Sequence, residues 1–352
     1  MAASSPAGPS RKTDRSRETA AARMPLRAAA FSRRPKESVM RNKIRLLTVV
    51  AVGLLTLATC PAASAAGAPR LLLGQDFPDP DVVKADAGYF AFSTSTGAVK
   101  VPTAGAPAPE GPWRVIGDAL ASVPKWAKPD GGFWAPDVTR LSDGTFLLYF
   151  SAAVAPGGEM CIGTASSAKV EGPYIPVGDA PLVCVPGDGG DIDPQTFVDT
   201  DGTRYLLYKS DGAATGPPAA IWSQKMLPDG RTPVGPRIEL LRADLTSEKA
   251  VVEAPSVVKT LNRYLLFYSA DTFQSSGYHT GFASAPALNG PFVKADAPFL
   301  STDLLGGKVD GPGGADVVDG HIFFHGWLGG GRTARGLYEL PLRFPNDVPQ
   351  LE

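Results

Sequence analysis

The sequence lacks several features that mark common classes of protein. It has no surplus of basic charge: the net charge is −1, and residues 66–352 contain 22 Lys and Arg against 32 Asp and Glu. This balance argues against a nucleic-acid-binding protein. No G-x-S-x-G, H-E-x-x-H or P-loop signature is present, which excludes three well-defined kinds of active site. The 39 Gly and 34 Pro do not follow the period of collagen, and a hydrophobic content of 43% is typical of a globular chain.

Long stretches with the 3.6-residue periodicity of an amphipathic helix are also missing. Short aromatic and aliphatic runs recur instead, and turn-forming residues bound them. These runs are Tyr89–Ser93, Phe146–Phe150, Tyr205–Tyr208 and Tyr264–Tyr268. Asp143-Gly144 and Asp201-Gly202 precede two of them as tight hairpin turns. The pattern predicts an all-β fold.

One apolar run, at residues 46–57, follows a basic stretch. It is too short for a comfortable membrane span, which needs about 20 residues. Residues 63–65 read Ala-Ser-Ala, which fits a signal-peptide cleavage site. We interpret residues 1–65 as a basic n-region and secretory signal peptide, and translation starting at Met40 would shorten the n-region. Two different interpretations of the segment stay open, namely an uncleaved membrane anchor and a lipid anchor on Cys60.

Export would place the two remaining cysteines in an oxidising compartment. We therefore expect Cys161 and Cys184 to form a disulfide. The loop that this bond closes would stabilise the fold by about 3 kcal/mol. Two buried thiols are the alternative.

A larger unit repeats five times along residues 66–352. Its motif recurs at positions 80, 136, 194, 255 and 315, which lie 56, 58, 61 and 60 residues apart. A unit of this length holds about four short strands, which is one propeller blade. The sequence therefore predicts a single five-bladed β-propeller over residues 66–352. A two-sheet sandwich with a second domain is the alternative.

Three carboxylates lie at one phase of this repeat. Asp79 and Asp193 each precede a motif proline, and Glu253 lies two residues before Pro255. We expect these prolines to open the innermost strands of their blades, so that the three carboxylates meet at one mouth of the central channel. Carboxylates that lie close together repel, which raises the pKa of at least one of them. A neutral acid beside an ionised base is the pair that hydrolyses glycosides.

The motifs resemble those of glycoside hydrolase family 43. They are Phe77–Asp81, Trp134–Val138, Ile192–Pro194 and Glu253–Ser256, in the order expected for that family. The resemblance implies that Asp79 is the general base, Glu253 the general acid, and Asp193 the residue that orients the acid and tunes its pKa. It also implies inversion of configuration, for which the base and acid carboxyls should lie about 6.5–9.5 Å apart.

The resemblance suggests further site residues. Trp134 resembles a sugar-stacking aromatic, Arg335 a substrate-binding arginine, and His325 a histidine that holds calcium in the channel, mostly through water. The alternatives are a core tryptophan, a solvated arginine and a buried histidine without metal, since calcium prefers oxygen ligands. Asp137 follows its proline instead of preceding it, and we leave it outside the catalytic set.

The sequence thus indicates a secreted inverting glycosidase of pentose-containing plant polysaccharides and oligosaccharides. Arabinan and α-L-arabinofuranosides are the first expectation, and β-xylosides the second. A non-catalytic carbohydrate-binding propeller is the competing class, and a lectin would not need the three carboxylates. We expect a monomer that binds carbohydrate and no nucleic acid.

Overall fold

The computed structural model describes residues 67–212 and 218–352. The predicted signal peptide and Cys60 lie outside these residues. Apart from two short 3-10 helices, Thr246–Glu248 and Pro345–Asp347, the regular structure is strand. No helix within the described residues is long and apolar enough to cross a membrane.

The strands fall into five groups along the chain. After β1 (Arg70–Leu73), the first blade contains β2 (Asp81–Ala85), β3 (Gly88–Phe92), β4 (Pro102–Ala106) and β5 (Arg114–Asp118). The second contains β6 (Phe133–Arg140), β7 (Phe146–Ala153), β8 (Met160–Ser167) and β9 (Ile175–Val177). The third contains β10 (Asp191–Val198), β11 (Arg204–Ser210), β12 (Ala220–Met226) and β13 (Ile238–Arg242). The fourth contains β14 (Val252–Lys259), β15 (Tyr264–Ala270), β16 (His279–Ala285) and β17 (Val293–Lys294). The fifth contains β18 (Asp310–Val318), β19 (His321–Trp327) and β20 (Arg335–Arg343), beside the short β21 (Gln350–Leu351).

Each group forms one antiparallel sheet, and the sheets make a five-bladed propeller as predicted. In the fifth blade, β1 supplies the outer strand by pairing with β20, with Arg70 opposite Glu339. Strands from both ends of the described chain therefore close the ring. The sandwich alternative is excluded.

Side chains between neighbouring blades form the core. All eight residues of β7 are buried, which suits its continuous apolar sequence. Phe92 of the first blade meets Tyr174 at the edge of the second, with ring centroids 6.2 Å apart in an edge-to-face arrangement. Trp113 of the first blade meets Phe323 of the fifth at 6.1 Å. Such aromatic contacts join sheets that share no backbone hydrogen bonds.

The backbone is left-handed at the residue before each motif position. The φ angles are 52° at Asp79, 42° at Ala135, 54° at Asp193, 48° at Ala254 and 59° at Gly314. Residues other than glycine adopt this conformation at a cost of about 1–3 kcal/mol, and such residues cluster at functional sites. The same left-handed turn therefore recurs in all five blades, and it is strained in the four blades where the residue is not glycine.

The motif prolines do not all open the innermost strands, contrary to our expectation. Pro80 precedes β2, but Pro136, Pro194 and Pro255 lie inside their strands. In those strands the pairing register shifts across the proline, as it does between Glu253 and Ser256. A bulge removes the proline from the hydrogen-bonded ladder, so its missing N–H leaves no ladder partner unsatisfied.

Buried aspartates just after the motif position tie neighbouring blades together. Asp81 accepts a hydrogen bond from the backbone N–H of Val138 at 2.9 Å, Asp137 from the N–H and hydroxyl of Thr196 at 3.0 and 2.7 Å, and Asp316 from the N–H of Val82 at 2.9 Å. Burial raises the pKa of all three carboxyls, to about 7 for Asp137. Asp137 therefore connects the second blade to the third.

The predicted disulfide is present between Cys161 of β8 and Cys184 in the loop before β10. The two Cα atoms are 4.9 Å apart. The bond fixes the segment that leads into β10, and β10 carries Asp193.

Candidate active site

The three predicted carboxylates line one pocket of about 440 Å³. Asp79 comes from the start of the first blade, Asp193 from β10 and Glu253 from β14. Each belongs to the strained turn or directly precedes it, so the repeat itself directs the three side chains to one place. The pocket is large enough for a few sugar rings.

The Asp79 carboxylate is contacted by a guanidinium group and a hydroxyl group. Arg335 Nη1 lies 3.0 Å from Oδ1 and Nη2 lies 3.3 Å from Oδ2, and the Thr94 hydroxyl donates to Oδ2 at 2.7 Å. Burial alone would raise the pKa of Asp79, but Arg335, His325 and Thr94 together hold it well below its usual range. Asp79 is therefore ionised at any ordinary working pH and is fixed in orientation.

Asp193 is in the opposite state. Its Oδ2 accepts a hydrogen bond from the Ala254 N–H at 2.9 Å, and its own N–H donates to the Ser151 hydroxyl at 3.1 Å. Burial, and then the neighbouring charge of Glu253, raise the pKa of Asp193 to about 7. The three carboxylates therefore include one that is firmly ionised and one that titrates near neutrality.

Glu253 has a donor on each oxygen. The Tyr278 hydroxyl donates to Oε1 at 2.7 Å, and Lys209 Nζ donates to Oε2 at 2.9 Å. Sequence reasoning missed both partners. Lys209 directly follows the apolar run Tyr205–Tyr208, and a lysine there is a signal that could have been noticed.

Trp134 and Arg335 both lie in the pocket wall. Trp134 is 40% exposed, so it is not a core residue. The Arg335 side chain is 13% exposed and pairs with Asp79, so it is not a solvated surface arginine. The Arg335 guanidinium also packs near the rings of Phe273 and Trp327, 5.0 and 5.7 Å from their centroids.

His325, the expected calcium ligand, contacts Asp79 and Arg335. Its Nδ1 accepts a hydrogen bond from the Asp79 N–H at 3.0 Å, and its Nε2 lies 3.5 Å from the Arg335 guanidinium. The positive charge of Arg335 beside Nε2 is unfavourable for a cation bound directly to that nitrogen. Burial and Arg335 also lower the pKa of His325. Among the described residues, no group of three or more His, Cys, Asp and Glu is arranged to hold a metal ion. A calcium ion held mostly through water therefore stays a prediction.

Comparison with known proteins agrees with this geometry. The family described as glycosyl hydrolases family 43 matches residues 70–328. Extracellular endo-alpha-(1->5)-L-arabinanase 2 of Bacillus subtilis is 27% identical over 206 residues, which are 54% of this chain and 42% of that protein. The chain therefore spans less than half the length of that relative. Extracellular endo-alpha-(1->5)-L-arabinanase 1 of the same organism is 24% identical over 78% of this chain and 85% of its own length.

Among solved structures, a thermostable family-43 glycoside hydrolase superimposes with a TM-score of 0.69 at 26% identity. The match covers 79% of this chain and 93% of that structure.

Proposed function

This chain belongs to glycoside hydrolase family 43, and we propose that it hydrolyses O-glycosidic bonds of arabinose-containing polysaccharides and oligosaccharides. Arabinan and α-L-arabinofuranosides are the first candidates, because the relatives compared above are named arabinanases. β-Xylosides are the second. One observation carries the proposal: three carboxyl groups in different states line the same pocket. Asp79 is ionised, Asp193 has a pKa of about 7, and each oxygen of Glu253 accepts a hydrogen bond.

In the proposed reaction, Asp79 is the general base. It takes a proton from a water molecule as that water attacks the anomeric carbon. The partners of Asp79 keep it ionised and correctly oriented. A carboxyl with so low a pKa is a weak base, so Arg335 secures the charge of Asp79 at the expense of its basicity.

Glu253 is the proposed general acid. It donates its proton to the glycosidic oxygen as the bond from that oxygen to the anomeric carbon breaks. One displacement by water on the opposite face gives a product of inverted configuration. Asp193 of β10 accepts a hydrogen bond from the Ala254 N–H, next to Glu253 in the chain; it orients the acid and repels its ionised form.

Trp134 is the proposed platform for a sugar ring. Its exposed face lies in the pocket wall, where an aromatic surface packs against the apolar face of a sugar. Arg335 reaches the same pocket and is the proposed polar contact for the sugar.

The test is hydrolysis of a panel by the purified chain and by Glu253→Ala. The panel holds linear arabinan, an aryl arabinofuranoside, an aryl β-xyloside and arabinoxylan, and products are read by chromatography. We expect turnover of the arabinose substrates and at least a ~10³-fold loss in the variant where the leaving group needs a proton. Absence of turnover with retained sugar binding would favour the carbohydrate-binding propeller instead.

We also propose that the chain is exported. The apolar run at residues 46–57 and the cleavage-like residues 63–65 support this, as do the relatives named extracellular. N-terminal sequencing of the protein secreted by its native host should begin at Ala66. A lipid-modified Cys60 at the new N-terminus would mean anchoring instead.

A further inference from the structure

Lys209 is a buried cation in the pocket wall. It lies on β11, and its side chain is 5% exposed. Its Nζ is 2.9 Å from Glu253 Oε2 and 2.8 Å from Asp211 Oδ1. Burying an ammonium group is costly unless the group is paired, so these two carboxylates keep Lys209 charged. Glu253, with Asp193 and Asp211, raises the pKa of Lys209 against the effect of burial.

The two partners of Lys209 differ in their surroundings. The Glu253 side chain is 16% exposed and lies in the pocket, whereas the Asp211 side chain is 45% exposed. One ammonium group thus forms ion pairs with a carboxylate inside the site and with a second, more exposed carboxylate at its rim. Neutralising Asp211 would therefore strengthen the interaction of Lys209 with Glu253.

The other groups around Glu253 come from four blades. Asp193 on β10 repels it, and Tyr278 donates to its second oxygen. His325 on β19 stacks on Tyr278, with ring centroids 5.8 Å apart, and interacts electrostatically with Glu253. Asp79 and Arg335 line the same pocket as an ion pair. Lys209 is therefore the cation in direct contact with this carboxylate among the described residues.

We propose that Lys209, balanced by Asp211, is a positioning residue that controls proton donation by Glu253. The inference rests on the proposed function, in which Glu253 is the general acid. When Glu253 gives up its proton, negative charge develops on its oxygens. Lys209 and Tyr278 already point at those oxygens and stabilise that charge without rearrangement. Lys209 therefore makes Glu253 a readier proton donor.

The opposing charges give two variants with opposite effects. In Lys209→Met the ionised form of Glu253 loses its cation, so the alkaline limb of kcat/KM against pH should move up by about one pH unit. In Asp211→Asn the cation is left to Glu253, so the limb should move down by a few tenths of a unit, since Asp211 is half-exposed. Lys225→Met removes the same charge from an exposed site on β12 and should leave the limb in place.

The leaving group supplies an independent readout. With an arabino-oligosaccharide, Lys209→Met should lower kcat by about 10²-fold, because the leaving oxygen needs a proton. With an activated aryl arabinofuranoside the loss should be less than about 10-fold. Lys209→Arg keeps the cation and should recover part of the activity and restore the position of the limb.

The measurement is a set of pH–rate profiles for the parent and the four variants, each first checked for folding by circular dichroism. Opposite shifts of the alkaline limb in Lys209→Met and Asp211→Asn support the inference. If Lys209→Met does not fold, the inference is tested by the other two variants. A downward shift of the limb in Asp211→Asn, with the limb of Lys209→Arg at the parent's position, supports it. An active parent with unmoved limbs overturns this inference alone. A parent that hydrolyses no glycoside overturns the proposed function and this inference with it.

Discussion

The guanidinium of Arg335 spans both carboxylate oxygens of Asp79, at 3.0 Å from Oδ1 and 3.3 Å from Oδ2. Arg335 begins β20 of the fifth blade, and Asp79 precedes the first strand of the first blade. The ion pair thus crosses the point at which the propeller ring closes. It also keeps the proposed base ionised. The same contact therefore joins the first and fifth blades and holds the active-site carboxylate in its charged form.

Removal of this cation should change how activity depends on pH. In Arg335→Met, Asp79 remains buried without its main counter-charge, so the pKa of Asp79 rises. The acid limb of kcat/KM should therefore move to higher pH by at least about one unit. Arg343→Met, which removes an exposed arginine of the same strand, is the control. An acid limb that stays in place in Arg335→Met would show that Asp79 does not set it.

The buried aspartates between blades should make stability depend on pH in the opposite sense to a carboxyl whose pKa is lowered by folding. The pKa of Asp137 is raised in the folded state, so the folded chain binds more protons than the unfolded chain. The resulting stability is present below the unfolded pKa of about 3.9 and is lost as pH rises toward 7. Asp137→Asn cannot ionise, so its melting temperature should fall less between pH 5 and 7.5 than that of the parent. Parallel slopes in differential scanning calorimetry would refute this.

Trp134→Ala should weaken substrate binding with little loss of stability. The side chain is 40% exposed, so its removal opens no large core cavity. We expect KM for arabino-oligosaccharides to rise about 10-fold, and Trp134→Phe to retain much of the affinity because it keeps an aromatic face. A large drop in melting temperature with unchanged KM would assign Trp134 to the core.

The disulfide should contribute to stability through the unfolded chain. The double variant Cys161→Ala and Cys184→Ala removes a crosslink over 23 residues of sequence. The free energy of unfolding should fall by about 3 kcal/mol in guanidinium titrations. A double variant as stable as the oxidised parent would mean that the bond is not formed in solution.

The sequence allowed the five blades to be predicted because the motif recurs at positions 80, 136, 194, 255 and 315. The carboxylates followed from that recurrence, since residues at one repeat phase occupy one place in each blade. Lys209 and Tyr278 could not be found in this way. Lys209 lies on the second strand of its blade and Tyr278 just before the third, and the motif does not extend to either of them.

Other features depend on contacts between distant parts of the chain. The closure of the fifth blade by β1 depends on pairing between Arg70 and Glu339. These residues are far apart in the sequence, so no local pattern predicts their pairing. The surroundings of His325 are set by Arg335 and by the backbone of Asp79, and the motif around His325 contains neither contact. The positions of the motif prolines within strands follow from left-handed residues such as Ala135 and Ala254, which sequence propensity disfavours.

The central claim is single-step hydrolysis by Asp79 and Glu253, and the anomeric configuration of the first product tests it most directly. The purified chain would be mixed with an α-(1→5)-linked arabino-oligosaccharide, and proton NMR spectra recorded before the product anomers equilibrate. We predict that the β-anomer of the newly formed reducing end appears first. Initial appearance of the α-anomer would mean a covalent intermediate and would contradict the assignment of Asp79 as a base that activates water.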